Sequence, residues 1–307
     1  MPSDLVVVAN GRQVIRGGLV DYETLEIRQN GTIYFSESVS ISVRKLICHE
    51  GATIAYSPSG TFSENDNLTF ELLAFDASEA KELKLVGNGR NGKGVPGGAA
   101  RGGNGRDATP PNFGHLAGRR SRRGKAGANG KSGGYGENAV DFRITVQNAV
   151  PDLKLSFNSV GGDGGKGQNG GDGGTGGDAS ITRSASSGGP AGNGGHGGNA
   201  GDCGQIQVFL VLANHTPEAE AELTSGVEVI ANCSAGTPGE KGVAGTPGAP
   251  GHPRHHPRSH QGPAGNSGAQ GQPGEGPQRG ESNVDWVMVD VMDAATFLSA
   301  LHWRSRR

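Results

Sequence analysis

Residues 161–178 read GGDGGKGQNGGDGGTGGD, and this stretch decides how the rest of the chain is interpreted. Glycine occupies every third position from Gly161 to Gly176, and a second glycine column runs beside it at residues 162, 165, 171, 174 and 177. Three residues per turn is the repeat of polyproline II, so each column lies along one edge of an extended rod. An edge without Cβ atoms lets another backbone come close. The remaining column is polar and is expected to face water.

The same period of three marks six glycine-rich tracts, which are separated alternately by loops and by strand-like segments. They are tract 1 (89–107), tract 2 (124–136), tract 3 (161–178), tract 4 (189–204), tract 5 (236–251) and tract 6 (262–274). The order strand, tract, loop, tract, strand occurs three times, which is an internal repeat of architecture. The sequence therefore predicts three rod hairpins whose strands share a base and whose loops share a tip.

Residues 1–86 contain short β-branched runs, such as LVVVA (5–9) and LTFELLAF (68–75), which are punctuated by turn dipeptides. The predicted fold is mainly β plus polyproline II. It begins with a β-sandwich or short β-solenoid over residues 1–86. A six-rod glycine-rich polyproline II bundle with interleaved strands at its base follows over residues 87–282. A closing strand and a short C-terminal helix end the chain over residues 283–307.

The composition excludes several classes of protein. Of the 57 glycines among 307 residues, 51 lie in residues 87–280, and hydrophobic residues make up only 33 %, so one large apolar core is excluded. The net charge of −2 gives no global field that favours nucleic acid. No run of 18 apolar residues predicts a membrane span. The first residues show no signal-peptide pattern. Three cysteines, Cys48, Cys203 and Cys233, are too few for a disulfide scaffold.

Motifs for catalysis, cofactors and metals do not reach the required context. Residues 87–92 fit GxGxxG, but the KGVPGGAARGG that follows cannot open a helix. Gly130-Lys131-Ser132 lacks the glycine spacing of a P-loop. Residues 161–174 lack the apolar position of the calcium nonapeptide. The histidines of loop 252–261 lie between prolines and read as an exposed loop. We therefore expect no enzyme activity, no cofactor and no metal site.

With these tracts, the chain resembles glycine-rich polyproline II bundle proteins, namely the tip adhesins of bacteriophage tail fibres and, more loosely, the snow-flea antifreeze proteins. The stretch GTPGEKGVAGTPGAPGHP (236–253) also resembles collagen-like proteins. The resemblance covers residues 87–280 and rests on periodicity and on the order of tracts and loops. In the phage adhesins, glycine rods form a scaffold and variable tip loops choose the cell-surface receptor. The resemblance thus implies a scaffold that displays binding loops.

The predicted tip consists of three loops, 108–123, 179–187 and 252–261, and two of them are rich in arginine or histidine. Arginine forks suit phosphate and carboxylate groups, and histidine gains charge below neutral pH. Binding sites usually lie on loops that a rigid scaffold carries. The candidate ligand-binding residues are Arg119, Arg120, Arg122, Arg123, Arg183, Arg254, His255, His256 and Arg258.

The leading functional hypothesis is a non-catalytic, adhesin-like protein whose tip contacts an anionic glycan or a cell-surface polymer, at the cell exterior or on a virion. Two alternatives stay open: a structural subunit of an extracellular filament or matrix, in which edges pair between chains, and a collagen-like trimeric stalk. A homo-oligomer is compatible with either alternative. The 11-residue step from Gly251 to Gly262 breaks the register that a triple helix requires. An ice-binding role ranks last, since no repeated Thr or Ala face is present.

Overall fold

The computed structural model describes residues 3–57, 67–108, 120–149, 152–180, 184–212, 226–253 and 287–293, together with the single residues 216, 220, 221, 269, 272, 273 and 275. Within these residues the chain builds two β-sheets of eight and six strands, and the strands are numbered β1 to β14 in chain order. The glycine-rich tracts extend from the ends of these strands.

The eight-stranded sheet has the order β1 (Ser3–Val7), β3 (Gly18–Ile27), β5 (Val39–Cys48), β7 (Thr69–Ala74), β10 (Asp141–Gln147), β12 (Ile206–Leu212) and β14 (Val287–Asp293), with β8 (Glu79–Ala80) beside β5. The six-stranded sheet has the order β13 (Glu228–Asn232), β11 (Lys154–Asn158), β9 (Glu82–Val86), β6 (Thr53–Tyr56), β4 (Thr32–Phe35) and β2 (Arg12–Ile15). Every described pairing between strands is parallel.

The chain passes back and forth between the two sheets, so that each long strand pairs with the next strand of its own sheet after one full circuit. For example, β3 pairs with β5, and β4, which lies between them in the chain, pairs with β6. The β content of residues 1–86 agrees with the prediction. The sandwich alternative is wrong, because sandwich sheets consist of antiparallel strands and these are parallel.

An apolar core fills the space between the sheets. In β5 and β7 alternate side chains are buried, which is the pattern of strands with one face on a core. Phenylalanines from successive circuits contact one another: the ring centroids of Phe35 and Phe70 lie 5.0 Å apart, those of Phe70 and Phe142 5.9 Å, and those of Phe142 and Phe157 5.9 Å. The core therefore continues without a break across residue 86.

The predicted six-rod polyproline II bundle is wrong. None of the tract residues that the structure describes is assigned to a polyproline II helix, and the strands expected at the base of a bundle extend the same two sheets. In particular, β10 pairs with β7 in the register Phe142↔Phe70. The period of three indicates which residues face another backbone, but it specifies neither a helix type nor the neighbour. The predicted C-terminal helix lies outside the described residues, and the boundaries after residues 86 and 282 stay predictions.

Each pair of tracts connects the six-stranded sheet to the eight-stranded sheet. Tracts 1 and 2 form the first pair, between β9 and β10; tracts 3 and 4 form the second pair, between β11 and β12; tracts 5 and 6 form the third pair, between β13 and β14. The earlier connections between the same two sheets are short at residues 16–17 and 36–38. The three pairs therefore stack in the order in which the strands stack in the sheets.

Hydrogen bonds join the tracts both within and between pairs. Tract 1 donates to tract 3 in parallel register, as in Gly102 N–H to Asp172 O (2.8 Å), and tract 3 donates to tract 5, as in Gly164 N–H to Thr237 O (2.8 Å). Tract 3 also donates in the antiparallel direction to tract 2, as in Gly165 N–H to Gly134 O (2.7 Å). Two consecutive glycines, such as Gly164 and Gly165, thus donate to two different neighbouring tracts, and the N–H groups of both are satisfied.

The glycine columns lie against neighbouring backbone, as the sequence predicts. A Cβ on Gly173 would overlap the carbonyl of Gly189 and lie 2.7 Å from the nitrogen of Gly248. A Cβ on Gly98, by contrast, would have no atom within 4 Å. Gly98 lies beside the place where tract 1 has one residue more than tract 3, and there Gly97 has a φ of +76°. This left-handed conformation is one that glycine adopts without steric cost.

Candidate binding surfaces of the glycine-rich tracts

Three of the predicted tip residues lie within the described part of the chain. Arg120, Arg122 and Arg123 are all exposed, and the Nε of Arg123 donates to the carbonyl oxygen of Gly188 (3.2 Å). The other predicted residues lie outside the described residues: Arg119, Arg183, Arg254, His255, His256 and Arg258. The structure therefore places one arginine cluster and leaves its predicted companions as predictions.

The described residues that lead into the three loops are close neighbours. The N–H of Ala108 donates to Asp178 O (3.0 Å), and the N–H of Ala179 donates to His252 O (3.0 Å). Ser121 Oγ donates to the carbonyl of Ser184 (2.7 Å), which links the returning halves of the first and second pairs. The stems of the loops thus lie side by side, which is the arrangement expected if the loops share one end of the molecule.

Asparagine and aspartate side chains form ladders that link successive tract pairs. Asp163 Oδ1 accepts the N–H and the hydroxyl of Thr237 (both 2.8 Å), and its own N–H donates to Asn91 Oδ1 (2.9 Å). Similar bonds occur at the following acceptors: Asn88, Asn104, Asp107, Asn129, Asn138, Asn169, Asp172, Asp178, Asn193 and Asn199. Each side chain supplies the acceptor that a backbone N–H of the next pair needs.

The hydrogen bonds of the ladders change the acidity of two carboxyl groups. The N–H and hydroxyl of Thr237 hold the pKa of Asp163 below its ordinary value, and the hydroxyl and N–H of Thr246 do the same for Asp172. Sequence analysis expected this polar column only to face water. The signal that could have found the ladders is the recurrence of Asn and Asp at intervals of 64 to 72 residues, in phase with the tracts.

Several positions that are glycine in the second tract pair are lysine or arginine at the equivalent place in the first tract pair. A Cβ on Gly165 or Gly177 of tract 3 would overlap the carbonyl of Lys93 or Arg106, and one on Gly189 or Gly195 of tract 4 would overlap the carbonyl of Lys125 or Lys131. Side-chain positions of this column thus point toward the preceding tract pair. No glycine-rich tract precedes the first pair in the sequence, and among the described residues the side chains of this column are exposed at Lys93, Arg106, Lys125 and Lys131.

The open face of the first pair is basic. Lys93, Arg106, Arg122, Lys125 and Lys131 occupy this column, are exposed, and are named here the basic band. The hydrogen bonds confirm the equivalence of the columns, since Gly134 N–H donates to Lys93 O and Gly198 N–H donates to Gly165 O. Arg90 and Glu137 occupy the same column near the sheets and form an ion pair with each other.

The opposite, outer edge of tract 5 is rich in proline. In tract 3 the first glycine of each doublet donates its N–H to tract 5. The positions of tract 5 that would donate in the same way to a further tract are Ala235, Pro238, Lys241, Ala244, Pro247, Pro250 and Pro253. Proline has no N–H, so four of these seven positions cannot donate. A second copy of the chain stacked on this edge would find an incomplete set of donors.

The described residues also contain a shallow cavity of about 640 Å³ beside the sheets, on the side away from the tracts. Its lining is Glu50, Ser78, Glu79, Lys81, Glu82, Asp152 and Lys154. Three of its charged groups form ion pairs: Glu79 with Lys45, Glu82 with Lys84 (3.3 Å) and Lys154 with Glu228 (3.1 Å).

Comparison with protein-family models, with curated proteins and with solved structures finds no match to this chain. Among the described residues no helix is both long and apolar enough to cross a membrane, and no group of three His, Cys, Asp or Glu side chains is arranged to hold a metal ion. The three cysteines are buried and unbridged, and burial raises the pKa of the Cys48 thiol to about 12.

Proposed function

We propose that this protein is a non-catalytic surface-binding protein, in which stacked glycine-rich tracts present a positively charged tip to an anionic glycan or cell-surface polymer. The observation that carries the proposal is the exposure of Arg120, Arg122 and Arg123 at the tip end of the first pair. Their backbone belongs to a hydrogen-bonded stack, as in Arg122 N–H to Arg106 O (2.8 Å). Guanidinium groups held on such a support are suited to carboxylate and phosphate ligands.

Two features favour this proposal over the alternatives. The prolines on the outer edge of tract 5 oppose pairing of that edge with another chain, which a filament subunit would need. The glycine N–H groups of tract 3 donate to tracts 2 and 5 of the same chain, whereas a collagen-like stalk would direct such donors to partner chains.

The test is to replace Arg119, Arg120, Arg122 and Arg123 by serine and to measure binding to immobilised heparin and to intact cells at 0.05 to 0.5 M NaCl. The unaltered protein should bind, and should dissociate as salt shortens the Debye length to a few ångströms. The quadruple variant should lose binding and keep its thermal unfolding midpoint. The matched control replaces four exposed cations of the sheets, Arg12, Arg16, Arg44 and Lys81, by serine and should bind normally. Equal binding by both variants would contradict the proposal and favour the structural-subunit alternative.

A further inference from the structure

The cations of the basic band are regularly spaced along the tracts, and the proposed binding by the tip arginines does not account for this spacing. Three members recur at multiples of three residues, Arg122 just before tract 2 and Lys125 and Lys131 within it, and two further members, Lys93 and Arg106, lie on the neighbouring tract 1. Lys93 lies opposite Gly134 and Arg106 opposite Arg122, because backbone hydrogen bonds join these positions. Nine residues of extended chain separate Arg122 from Lys131, which corresponds to about 30 Å.

The exposed cations mark a surface that the described part of the chain leaves uncovered within its own stack. At four equivalent positions of the second pair, a Cβ would overlap the backbone of the first pair; these are Gly165, Gly177, Gly189 and Gly195, opposite Lys93, Arg106, Lys125 and Lys131. The fifth, opposite Arg122, is Ser186. In the first pair these positions carry long charged side chains. None of the five band residues has an ion-pair partner among the described contacts. The positive charge of the band is therefore available to a ligand.

We infer that the basic band binds a linear, acidic polysaccharide lying lengthwise along tracts 1 and 2. The band is only two hydrogen-bonded chains wide and about 30 Å long, which suits a single extended polymer. Between the cations the column holds Ala100, Gly103, Ala128 and Gly134. Such small residues give the polymer a flat path between successive charges.

The same small residues disfavour two other anionic partners. Single-stranded nucleic acid is held by aromatic side chains on which bases stack, and the band column has none. A bilayer surface is held by large apolar side chains such as Trp, Phe and Leu, which enter it beside the cations, and the column has none of these between its cations. The inference shares an anionic ligand with the proposed function, but it assigns a surface along tracts 1 and 2 that has only Arg122 in common with the tip.

The experiment compares two variants that omit the shared residue Arg122. In the band variant Lys93, Lys125 and Lys131 are replaced by serine, and in the tip variant Arg119, Arg120 and Arg123 are replaced by serine. Binding is measured by calorimetry to heparin fragments of increasing length. The band variant should bind long fragments about tenfold more weakly than the unaltered protein. Affinity of the unaltered protein should rise with fragment length until the fragment covers the band.

A gain-of-charge variant provides a second measurement. Ala100 and Ala128 lie in the same exposed column, so Ala100→Lys with Ala128→Lys should strengthen heparin binding without disturbing the fold. A variant with Arg12, Arg16 and Lys81 replaced by serine controls for net charge.

The outcomes separate the two assignments. Loss of heparin binding in the band variant alone supports the band and contradicts the tip as the main site, whereas loss in the tip variant alone overturns the band. Unchanged binding by the band variant, or an affinity that does not depend on fragment length, also overturns the assignment of the band as the binding surface. Tighter binding to poly(dT) or to phosphatidylserine vesicles than to heparin would overturn the choice of a polysaccharide.

Discussion

The sheets and the glycine-rich tracts use the same winding of the chain but hold its two layers together by different means. Between the sheets, side chains such as Phe70 and Phe142 fill the gap, and backbone hydrogen bonds run only within each sheet. Between the two layers of tracts the glycine columns bring the backbones together, and backbone hydrogen bonds cross directly from one layer to the other, as in Gly162 N–H to Glu137 O (2.8 Å). Deleting the Cβ thus replaces an apolar core by a second set of hydrogen bonds.

This difference predicts that the two regions respond oppositely to a change in side-chain volume. The sheets should be sensitive to lost volume, because a cavity in an apolar core is destabilising. The tracts should be sensitive to added volume, because a Cβ separates hydrogen-bonded backbones. Three experiments, taken from the largest expected effect to the smallest, examine this contrast.

Gly173→Val should have the largest effect. Its Cβ would overlap Gly189 O, which accepts a hydrogen bond from Gly248 N–H (2.9 Å). Overpacking costs about 1–3 kcal/mol, and each of the two separated backbone groups costs about 1–3 kcal/mol. We expect a loss of about 3–9 kcal/mol in the free energy of unfolding, measured by urea titration.

The matched control is Gly98→Val, where the Cβ meets open space, and a change within about 0.5 kcal/mol is expected. Similar losses at both positions would show that the tracts are not closely packed.

Phe70→Ala should have the next largest effect, and here side-chain volume is removed instead of added. Phe70 is fully buried between Phe35 and Phe142, so its truncation should lower the free energy of unfolding by about 3–5 kcal/mol. Because the sheets and tracts share the same stack of circuits, a single urea transition should shift as a whole. Two separate transitions, of which only one shifts, would contradict a shared cooperative unit.

Acid should have the smallest effect, through the carboxylates of the ladders. The pKa values of Asp163 and Asp172 lie below their ordinary value of 3.8 in the folded protein. Their stabilisation is therefore complete above the ordinary value and is lost as pH falls through the folded values. The temperature of the unfolding midpoint should decrease once the pH is lowered below about 4. This decrease should be shallower in the Asp163→Asn, Asp172→Asn variant.

The natural residue Asn169 shows that the amide fits this position, because its Oδ1 accepts Val243 N–H (3.0 Å). A pH profile of the double variant that runs parallel to that of the unaltered protein would exclude the two aspartates as the acid-sensitive groups.

Much of the local structure follows from the sequence, because it depends on residues close in the chain. Alternating apolar residues in LTFELLAF predict the strand that is β7. The glycine columns of tract 3 predict edges that touch another backbone, and this is confirmed at Gly170 and Gly173. The polyproline II bundle and the sandwich are wrong, since both required a knowledge of which distant segments become neighbours.

The candidate surfaces divide in the same way. The arginine run at residues 119–123 is visible in the sequence as a dense charge cluster. The basic band is not, because Lys93, Arg106, Lys125 and Lys131 are scattered over some forty residues and each stands beside glycines. Their common direction becomes evident only when tract 1 is aligned with tract 3 and tract 2 with tract 4 through their hydrogen bonds.

By itself, the sequence determined where the chain is extended, which edge of each tract must be free of side chains, and which loops carry charge. These properties depend on the local presence or absence of a Cβ. Only the tertiary structure decided that tract 3 lies between tracts 1 and 5, with partners about 72 and 74 residues away. That register is set by the parallel sheets, whose strands bring successive circuits of the chain into line. It also explains why Gly165, Gly177, Gly189 and Gly195 of the second pair are opposite basic residues of the first, since a Cβ at these glycines would overlap the backbone of the first pair.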